Sequence, residues 1–219
     1  MNFDFEAILL DFDGTLADTE AVKMKALAAF LAEKNILQFD RKPGDSSSQI
    51  IRNVFSESHT KEEAEVFATE FHSYQAQYMD KNLTPEDIAY ADVIPFITKL
   101  ETLGIKKTIV TTSNREVITV MGAKSGITKF FPADLIVTKN DVPPGMEKPN
   151  AKPYTLAAEL LGVDPNKCLA LEDSKTGILS AQSAGCAVAI VNREENDFTE
   201  FETQFAVRNL SELEIKLGL

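Results

Sequence analysis

After residue 84 the sequence alternates short apolar segments with segments of helical periodicity, and this alternation constrains the fold more than any other feature. Short apolar runs bounded by turn residues are typical of strands that are buried on both faces of a sheet. Strand–helix–strand units of this kind produce a mostly parallel sheet that is covered by helices. We predict strands at 107–111, 134–137, 168–171 and 187–191, and helices at 93–103, from about Arg115, at 153–161 and at 176–184.

A long helical insertion separates this region from an earlier apolar strand at 7–10. Between residues 19 and 82 apolar side chains recur at helical spacing, without an evident strand. A Pro-Gly-Asp turn at 43–45 precedes three serines that are suited to cap a helix. We therefore predict an α/β fold in which residues 1–16 and 84–219 form a core with a Rossmann-like parallel sheet, and residues 17–83 form an inserted α-helical domain.

Composition and charge exclude several classes of partner. The formal net charge of −12 repels polyanions, and Lys and Arg form no dense run, so we expect no nucleic acid partner. No segment approaches the roughly 18 apolar residues of a membrane span. The N-terminal residues lack the basic and apolar regions of a secretion signal, and we expect a cytoplasmic protein without membrane association. The length of 219 residues favours one domain with an insert, and we expect a monomer or a weak homodimer.

The cysteines and histidines carry little functional signal. Cys168 and Cys186 lie in apolar sequence without metal-binding spacing, so buried reduced thiols are expected. His59 and His72 lie in polar, helix-like sequence, and we assign no catalytic role to either.

Two carboxylates follow the first strand directly. In an extended chain Asp11 and Asp13 point to the same side, while Phe12 points into the packing. Gly14 then allows the chain to leave the sheet sharply. Paired carboxylates require a bound cation or one retained proton, and both states suit phosphate chemistry. An ordinary acidic turn is the alternative, whereas a calcium loop would need ligands that residues 15–17 do not provide.

Hydroxyl and amide side chains stand at the end of the strand predicted at 107–111 and directly after it. Thr111, Thr112, Ser113 and Asn114 could donate hydrogen bonds to phosphate oxygens, together with backbone N–H groups at the start of the next helix. Ser113 or Asn114 could instead only cap that helix. The residues alone leave open whether Thr111 or Thr112 faces the carboxylates.

Later strand and helix ends add a lysine and two more acids. Lys148 precedes a helix and could neutralise an anionic pocket, although most lysines are simply solvated. Glu172 and Asp173 follow the strand at 168–171, and paired acids there suit Mg²⁺, which prefers oxygen ligands. Helix capping by Asp173 is the alternative.

Together these segments resemble the four motifs of the haloacid dehalogenase superfamily of phosphohydrolases, in the same order. D-F-D-G-T-L at 11–16 resembles the first motif. In the second motif a Thr or Ser just past the strand is often followed by Ser or Asn, which favours Thr112. K-P at 148–149 followed by P-Y at 153–154 resembles the third motif, and E-D-S-x-x-G-I-x-x-A-x-x-A-G from Glu172 resembles the fourth.

The position of the insertion also resembles one subclass of that superfamily. A helical cap of the C1 type, between the first and second motifs, is similar to that of β-phosphoglucomutase, phosphoglycolate phosphatase and small sugar-phosphate phosphatases. The chain departs from the third motif at Ala151 and Lys152, where the family often has Pro and an acid.

The resemblance implies a Mg²⁺-dependent phosphatase acting on a small phosphorylated metabolite. Asp11 would attack phosphorus and form an aspartyl-phosphate, while Asp13 would protonate the leaving group and later activate water. Asp11, the backbone carbonyl of Asp13, Asp173 and Glu172 would hold Mg²⁺.

The same resemblance assigns the remaining binding residues. Thr112, Ser113 and Lys148 would hold the nonbridging phosphate oxygens, with Gly14 and Asn114 as further substrate-binding residues. In the cap, Lys23 and the loop at 41–49, which contains Gly44, are the candidates for recognition of the leaving group.

Three alternatives follow from the same residues. A β-phosphoglucomutase-type mutase uses the same core, but it usually carries a cap His where this chain has Lys23 and an Arg around Ser47. A dehalogenase commonly replaces the second acid, and Asp13 argues against it. A non-catalytic binding protein would not require every expected catalytic residue, and all of them are present.

Overall fold

Five strands form one parallel sheet in the part of the chain that the structure describes. The structure is a computed structural model, and it describes residues 5–42, 45–56 and 58–219. The strands are Ala7–Leu10 (β1), Lys106–Ile109 (β2), Cys168–Glu172 (β3), Ala187–Val191 (β4) and Phe205–Val207 (β5). They lie in the order β2-β1-β3-β4-β5, and every neighbouring pair is parallel. The predicted α/β fold class with a parallel sheet is confirmed.

The chain divides into two compact units. Met1–Asp18 and Pro85–Leu219 form the core unit, and Thr19–Thr84 forms the cap unit. The insertion drawn from the sequence, 17–83, differs from the cap unit by at most two residues at either end. The cap unit consists of the helices Thr19–Glu33 (α1), Ser47–Ser56 (α2) and Lys61–Asn82 (α3).

The cap unit has an apolar core of its own. Its longest helix, α3, packs against both α1 and α2. The rings of Phe30 and Phe71 meet edge to face at 5.4 Å, and the rings of Phe55 and Phe67 stack at 4.0 Å. Ser46 accepts a hydrogen bond from the backbone N–H of Gln49 at 3.2 Å, in keeping with a capping serine before α2.

Helices cover the sheet of the core unit. They are Val93–Thr102 (α4), Arg115–Val117 (α5, continued by a π-helical turn at Ile118–Gly122), Lys152–Leu161 (α6), Lys175–Ser183 (α7) and Leu210–Leu217 (α8). α6 packs on β1 and β2, α7 on β3 and β4, and α8 on β5. Cys168 and Cys186 are buried free thiols, as expected. Within the described residues no helix combines the length and the apolar character that crossing a membrane requires.

The parallel pairing brings the carboxyl ends of β1, β2 and β3 together at one edge of the sheet. Leu10, the last residue of β1, lies opposite Ile109 of β2 and Leu171 of β3. Because side chains and loops that follow parallel strands emerge at the same edge, the segments after these strands are neighbours. This edge therefore holds the candidate site.

The strand predicted at 134–137 is wrong. Among the described residues this segment contributes one isolated bridge, between Val137 and Val110. The carbonyl of Ile136 accepts a hydrogen bond from the guanidinium of Arg115 at 2.9 Å instead of joining a ladder. A short apolar run does not by itself distinguish a strand from such a segment.

β5 and α8 extend the core beyond the elements that we predicted. β5 has three residues, too few to produce a periodic pattern, and it exists through its pairing with β4. α8 does carry recognisable end signals. Asn209 caps its N-terminus by accepting from the N–H of Glu212, and Gly218 ends it in the left-handed conformation.

We expect Asp141→Asn to destabilise the protein at neutral pH. Asp141 accepts hydrogen bonds from the N–H and hydroxyl of Thr138 and from Arg115, at 2.8, 2.6 and 2.6 Å. Burial on its own raises the pKa of the Asp141 carboxyl, but these hydrogen bonds outweigh it and hold the pKa below its ordinary value of 3.8. The cost of the substitution should be about 1–2 kcal/mol in the free energy of unfolding.

The lowered pKa of Asp141 determines how the stability difference between the two proteins changes with pH. A carboxyl with a lowered folded pKa stabilises the protein fully above its unfolded pKa, and this contribution is lost as pH falls through the folded value. Urea unfolding of both proteins should therefore give a constant difference from about pH 7 to pH 5, which shrinks below about pH 4. A difference that grows on acidification would contradict the assignment.

Candidate active site

Asp11 lies at the carboxyl end of β1. Its backbone N–H donates to the carbonyl of Leu171 at 3.0 Å, which continues the pairing with β3, and its side chain is buried. Phe12 is fully buried, and its carbonyl accepts from the N–H groups of Leu16 and Ala17 at 3.0 and 2.9 Å. Phe12 therefore fixes a tight turn in the core, while the Asp11 carboxylate stays at the sheet edge.

The ammonium group of Lys148 lies between two buried carboxylates. Its Nζ donates to Asp11 Oδ1 at 2.6 Å, to Glu172 Oε1 at 2.5 Å and to the carbonyl of Val110 at 2.9 Å. These bonds employ all three N–H groups of the ammonium. The side chain is 2% exposed, so Lys148 is not an ordinary solvated lysine. One charged group thus joins the ends of β1, β2 and β3.

The carboxylate of Glu172 accepts hydrogen bonds from three side chains. Its side chain is fully buried, and Oε1 accepts from the hydroxyl of Tyr154 at 2.5 Å in addition to Lys148. Oε2 accepts from the hydroxyl of Ser174 at 3.2 Å. A Cβ added at Gly177 of α7 would overlap the Glu172 carboxylate, so the close approach of this helix requires glycine. Glu172 is therefore a fixed counter-charge for Lys148.

The cluster carries more negative than positive charge. Burial raises the pKa of Asp11 well above its ordinary value, the charge of Lys148 opposes this shift, and Glu172 and Asp173 add to it. Burial and the charge of Glu172 raise the pKa of Asp173 to about 7. Burial lowers the pKa of Lys148, but Asp11 and Glu172 outweigh that effect and raise it overall. A further cation would therefore favour the fully ionised cluster.

Three acidic side chains are placed to hold such a cation. Asp11, Glu172 and Asp173 each offer a carboxylate oxygen, and these oxygens lie within 4.8 Å of one another. Asp11 Oδ2 is buried and has no hydrogen-bond partner among the described residues. An orphaned carboxylate oxygen and a donor set made only of oxygen fit a hard divalent cation. The side chains of Asp11, Glu172 and Asp173 therefore fit a bound divalent cation.

Asp13 faces a different set of groups. Its Oδ2 accepts from the hydroxyls of Thr111 and Ser113 at 2.9 and 2.8 Å. Thr111 is buried and is the threonine that contacts the carboxylate of Asp13, whereas Thr112 is exposed. The assignment of Thr112 to phosphate binding stays a prediction. The side-chain oxygen of Asn114 accepts from the N–H of Val117 at 2.9 Å and caps α5.

Three further residues were predicted to bind substrate, namely Gly14, Gly44 and Lys23. Gly14 has a φ of +81°, and a Cβ there would overlap the carboxylate of Asp173. Gly44 lies outside the described residues. Lys23 is half-buried on α1 of the cap unit, and its role in substrate binding stays a prediction.

Two groups of the site were not assigned roles from the sequence. Tyr154 is fully buried on α6, donates to Glu172, and lies with its ring 5.2 Å from Lys148 Nζ. A polar aromatic residue in the first turn of the helix after the lysine was the available signal, because a buried tyrosine hydroxyl needs a partner. The carbonyl of Val110 has no side-chain signal at all.

Comparison with known proteins identifies the family of the chain. The family model described as "Haloacid dehalogenase-like hydrolase" matches residues 8–191, which confirms the resemblance drawn from the motifs. Phosphoglycolate phosphatase of Neisseria gonorrhoeae is 28% identical over 207 residues, with 89% of this chain and 83% of that protein covered. Hexitol phosphatase A of Escherichia coli is 28% identical over 215 residues, with 96% and 94% covered.

The fold is also shared with solved structures. A HAD family hydrolase from Deinococcus radiodurans, crystallised with phosphate and sodium, superposes with a TM-score of 0.75 at 20% identity, covering 99% of this chain and 96% of that one. A Thermotoga maritima protein with a provisional β-phosphoglucomutase designation gives a TM-score of 0.79 at 22% identity, covering 97% and 98%.

We expect Gly14→Ala to weaken the binding of a divalent cation. The new Cβ would occupy the place of the Asp173 carboxylate and displace one of the three acidic side chains. Gly126→Ala is a matched control, because Gly126 has a similar φ of +74° but no atom within 4 Å of an added Cβ. Both variants should lose about 1–2 kcal/mol of stability through backbone strain.

Calorimetric titration with Mg²⁺ should separate the two effects. Cation affinity should fall in Gly14→Ala and stay at the wild-type value in Gly126→Ala. Equal affinities in both variants would show that the Asp173 carboxylate does not take part in cation binding.

Proposed function

The chain belongs to the haloacid dehalogenase-like hydrolase family, and on this premise we propose that it is a phosphatase that hydrolyses a small phosphorylated metabolite through an aspartyl-phosphate on Asp11. The arrangement around Asp11 carries this proposal. Lys148 holds Oδ1, while Oδ2 is buried without a hydrogen-bond partner among the described residues. A buried carboxylate that a hydrogen bond orients suits a nucleophile.

The first step transfers the phosphoryl group to Asp11. A carboxylate oxygen of Asp11 forms a bond to phosphorus, and the bond from phosphorus to the leaving oxygen breaks. Asp13 gives its proton to that oxygen, so an alcohol leaves rather than an alkoxide. Thr111 and Ser113 both contact Oδ2 of Asp13, and we assign the other oxygen, Oδ1, as the carrier of the proton.

The second step returns Asp11 to its starting state. Asp13, now ionised, takes a proton from a water molecule, and the water oxygen attacks phosphorus. The bond between phosphorus and Asp11 breaks, and inorganic phosphate leaves. Asp13 has then regained the proton that it donated in the first step.

Mg²⁺ is the cation that we propose for the site. Asp11, Asp173 and Glu172 would hold it, together with the backbone carbonyl of Asp13. When bound it would neutralise charge on the transferring phosphoryl group. Lys148 has all three N–H groups committed to protein acceptors, so we assign it to the orientation of Asp11 and to charge balance. A contact of Lys148 with phosphate would replace one of these three hydrogen bonds.

The substrate class is proposed from the relatives. Proteins named phosphoglycolate phosphatase and hexitol phosphatase A align over most of this chain, which supports a small phosphorylated acid, sugar or sugar alcohol as substrate. We propose hydrolysis rather than return of phosphate to a sugar, because Lys23 and Ser47 stand where mutases usually carry His and Arg.

Removal of divalent cations should abolish turnover. Activity on an aryl phosphate should disappear in excess EDTA and return when Mg²⁺ is added in excess of the chelator, because the acidic cluster then regains its counter-charge. Phosphate release that is unchanged in EDTA would contradict the metal assignment.

Asp11→Asn and Asp13→Asn should fail in different ways. Asp11→Asn should lose roughly 10³-fold or more in kcat on every substrate, because a neutral amide cannot form the phosphoenzyme. Asp13→Asn should lose most activity on alkyl phosphates and much less on aryl phosphates whose leaving groups need no proton. Kinetics on a series of leaving groups measure both effects.

The exposed carboxylate of Asp134 provides the control, since Asp134→Asn removes a charge without touching the site. Wild-type turnover of the Asp11→Asn protein would contradict the proposed mechanism. A common leaving-group dependence for both site variants would show that Asp11 and Asp13 do not have separate roles.

A further inference from the structure

Two segments of the core unit pair where the chain passes to and from the cap unit. Residues 15–18 lead to the cap unit and residues 88–90 follow it. Ala17 and Ala89 form an antiparallel bridge, and the N–H of Asp18 donates to the carbonyl of Ile88 at 2.8 Å. The pair forms a short two-stranded connection that belongs to the core unit.

Arg193, on the loop after β4, contacts both of these segments. Its Nε and Nη2 donate to the carbonyl of Thr15 at 3.2 and 3.0 Å. The guanidinium also lies over the ring of Tyr90, with Cζ 3.9 Å from the ring centroid. A planar guanidinium can donate in its plane and stack through its face at the same time, which an ammonium group cannot do.

Asp92 fixes the position of this guanidinium. Arg193 Nη2 lies 3.0 and 3.1 Å from its two carboxylate oxygens, and Oδ2 of Asp92 also accepts from the N–H of Leu210 at 2.5 Å. The side chains of Arg193 and Asp92 are 11% and 12% exposed. An ion pair that is largely removed from water and has its hydrogen bonds satisfied holds a defined geometry, unlike an exposed pair.

Arg193 contacts the chain close to Asp13. Thr15 follows Asp13 by two residues, and the N–H of Gly14 donates to the carbonyl of Ala17 at 2.8 Å within the same turn. Gly14, Asp173, Tyr90 and Arg193 also line one small cavity. A shift of the Thr15 carbonyl would therefore change the position of Asp13 relative to Thr111 and Ser113.

We infer that Arg193 is a positioning residue that holds the Asp13–Thr15 turn in its reactive geometry, with Asp92 as its counter-charge and Tyr90 as its stacking surface. The inference rests on the proposed function in one respect, since it takes Asp13 as the acid that protonates the leaving group. Because Arg193 acts through Asp13, its loss affects protonation of the leaving group more than formation of the phosphoenzyme.

The test compares Arg193→Lys, Arg193→Ala and Asp92→Asn with the wild-type protein. Arg208→Ala is the matched control, because Arg208 forms an ion pair with Glu195 on the same loop but is 77% exposed. kcat and KM are measured on phosphate esters that span poor and good leaving groups, with Asp13→Asn as the reference. Hydrogen exchange of peptides covering residues 12–18 and the melting temperature are measured on every protein.

The expected result has three parts. Arg193→Ala lowers kcat roughly 10- to 100-fold on poor leaving groups and far less on good ones, with little change in KM. Exchange of the 12–18 amides becomes roughly tenfold faster. Arg193→Lys and Asp92→Asn lie between this variant and the wild type, and Arg208→Ala matches the wild type.

Two results would overturn the inference. One is a lower melting temperature with equal losses on all leaving groups and wild-type exchange at 12–18, which would make Arg193 a stabilising contact only. The other is wild-type behaviour in Arg193→Lys and Asp92→Asn if Arg193→Ala does not fold. Failure of the proposed function itself has a separate signature, namely full turnover in Asp11→Asn, and the exchange data decide the role of Arg193 in that event too.

Discussion

The site depends on the pairing of the buried Lys148 ammonium group with the carboxylates of Asp11 and Glu172. Lys148 contacts Asp11, Glu172 and the Val110 carbonyl, so it ties together the ends of three strands. Taking charges out of water costs several kcal/mol for each ion, and only a partner of opposite charge with good hydrogen bonds offsets this. Without Lys148, Asp11 and Glu172 would be buried carboxylates with no compensating charge. The lysine therefore decides both the ionisation of the cluster and the orientation of Asp11.

Close packing of acids requires small residues beside them. Gly14 leaves room for the Asp173 carboxylate, and Gly177 leaves room for that of Glu172. The same site depends on a second charged anchor, because Arg193 and Asp92 fix the turn that follows Asp13. The two anchors act on opposite ends of the segment from Asp11 to Thr15. Ion pairs and the space beside two glycines thus hold the reactive carboxylates in place, at the edge of the sheet where the strands end.

The helices and strands could be predicted from the sequence wherever their apolar residues recur with a clear period. The parallel sheet and its covering helices followed from alternation, whereas the segment at 134–137 looked like a strand because it is short and apolar. Within that segment Val137 bonds to the backbone of Ile109 and Thr111, whereas the carbonyl of Ile136 accepts from Arg115, a contact that no local pattern reveals. β5 is not predictable from the sequence because three residues show no period, whereas α8 carries the capping signals Asn209 and Gly218.

By itself the sequence determined which residue types could do phosphate chemistry and where along the chain they stand. Asp11, Lys148 and Asp173 follow strands or precede helices, and their spacing resembles one family's motifs. Only the tertiary structure decided which of Thr111 and Thr112 contacts Asp13, because that contact depends on how the chain continues beyond β2, where the N–H of Thr111 donates to the carbonyl of Val137. Orientation of a side chain at a strand end is set by its neighbours in space, and these come from distant parts of the chain.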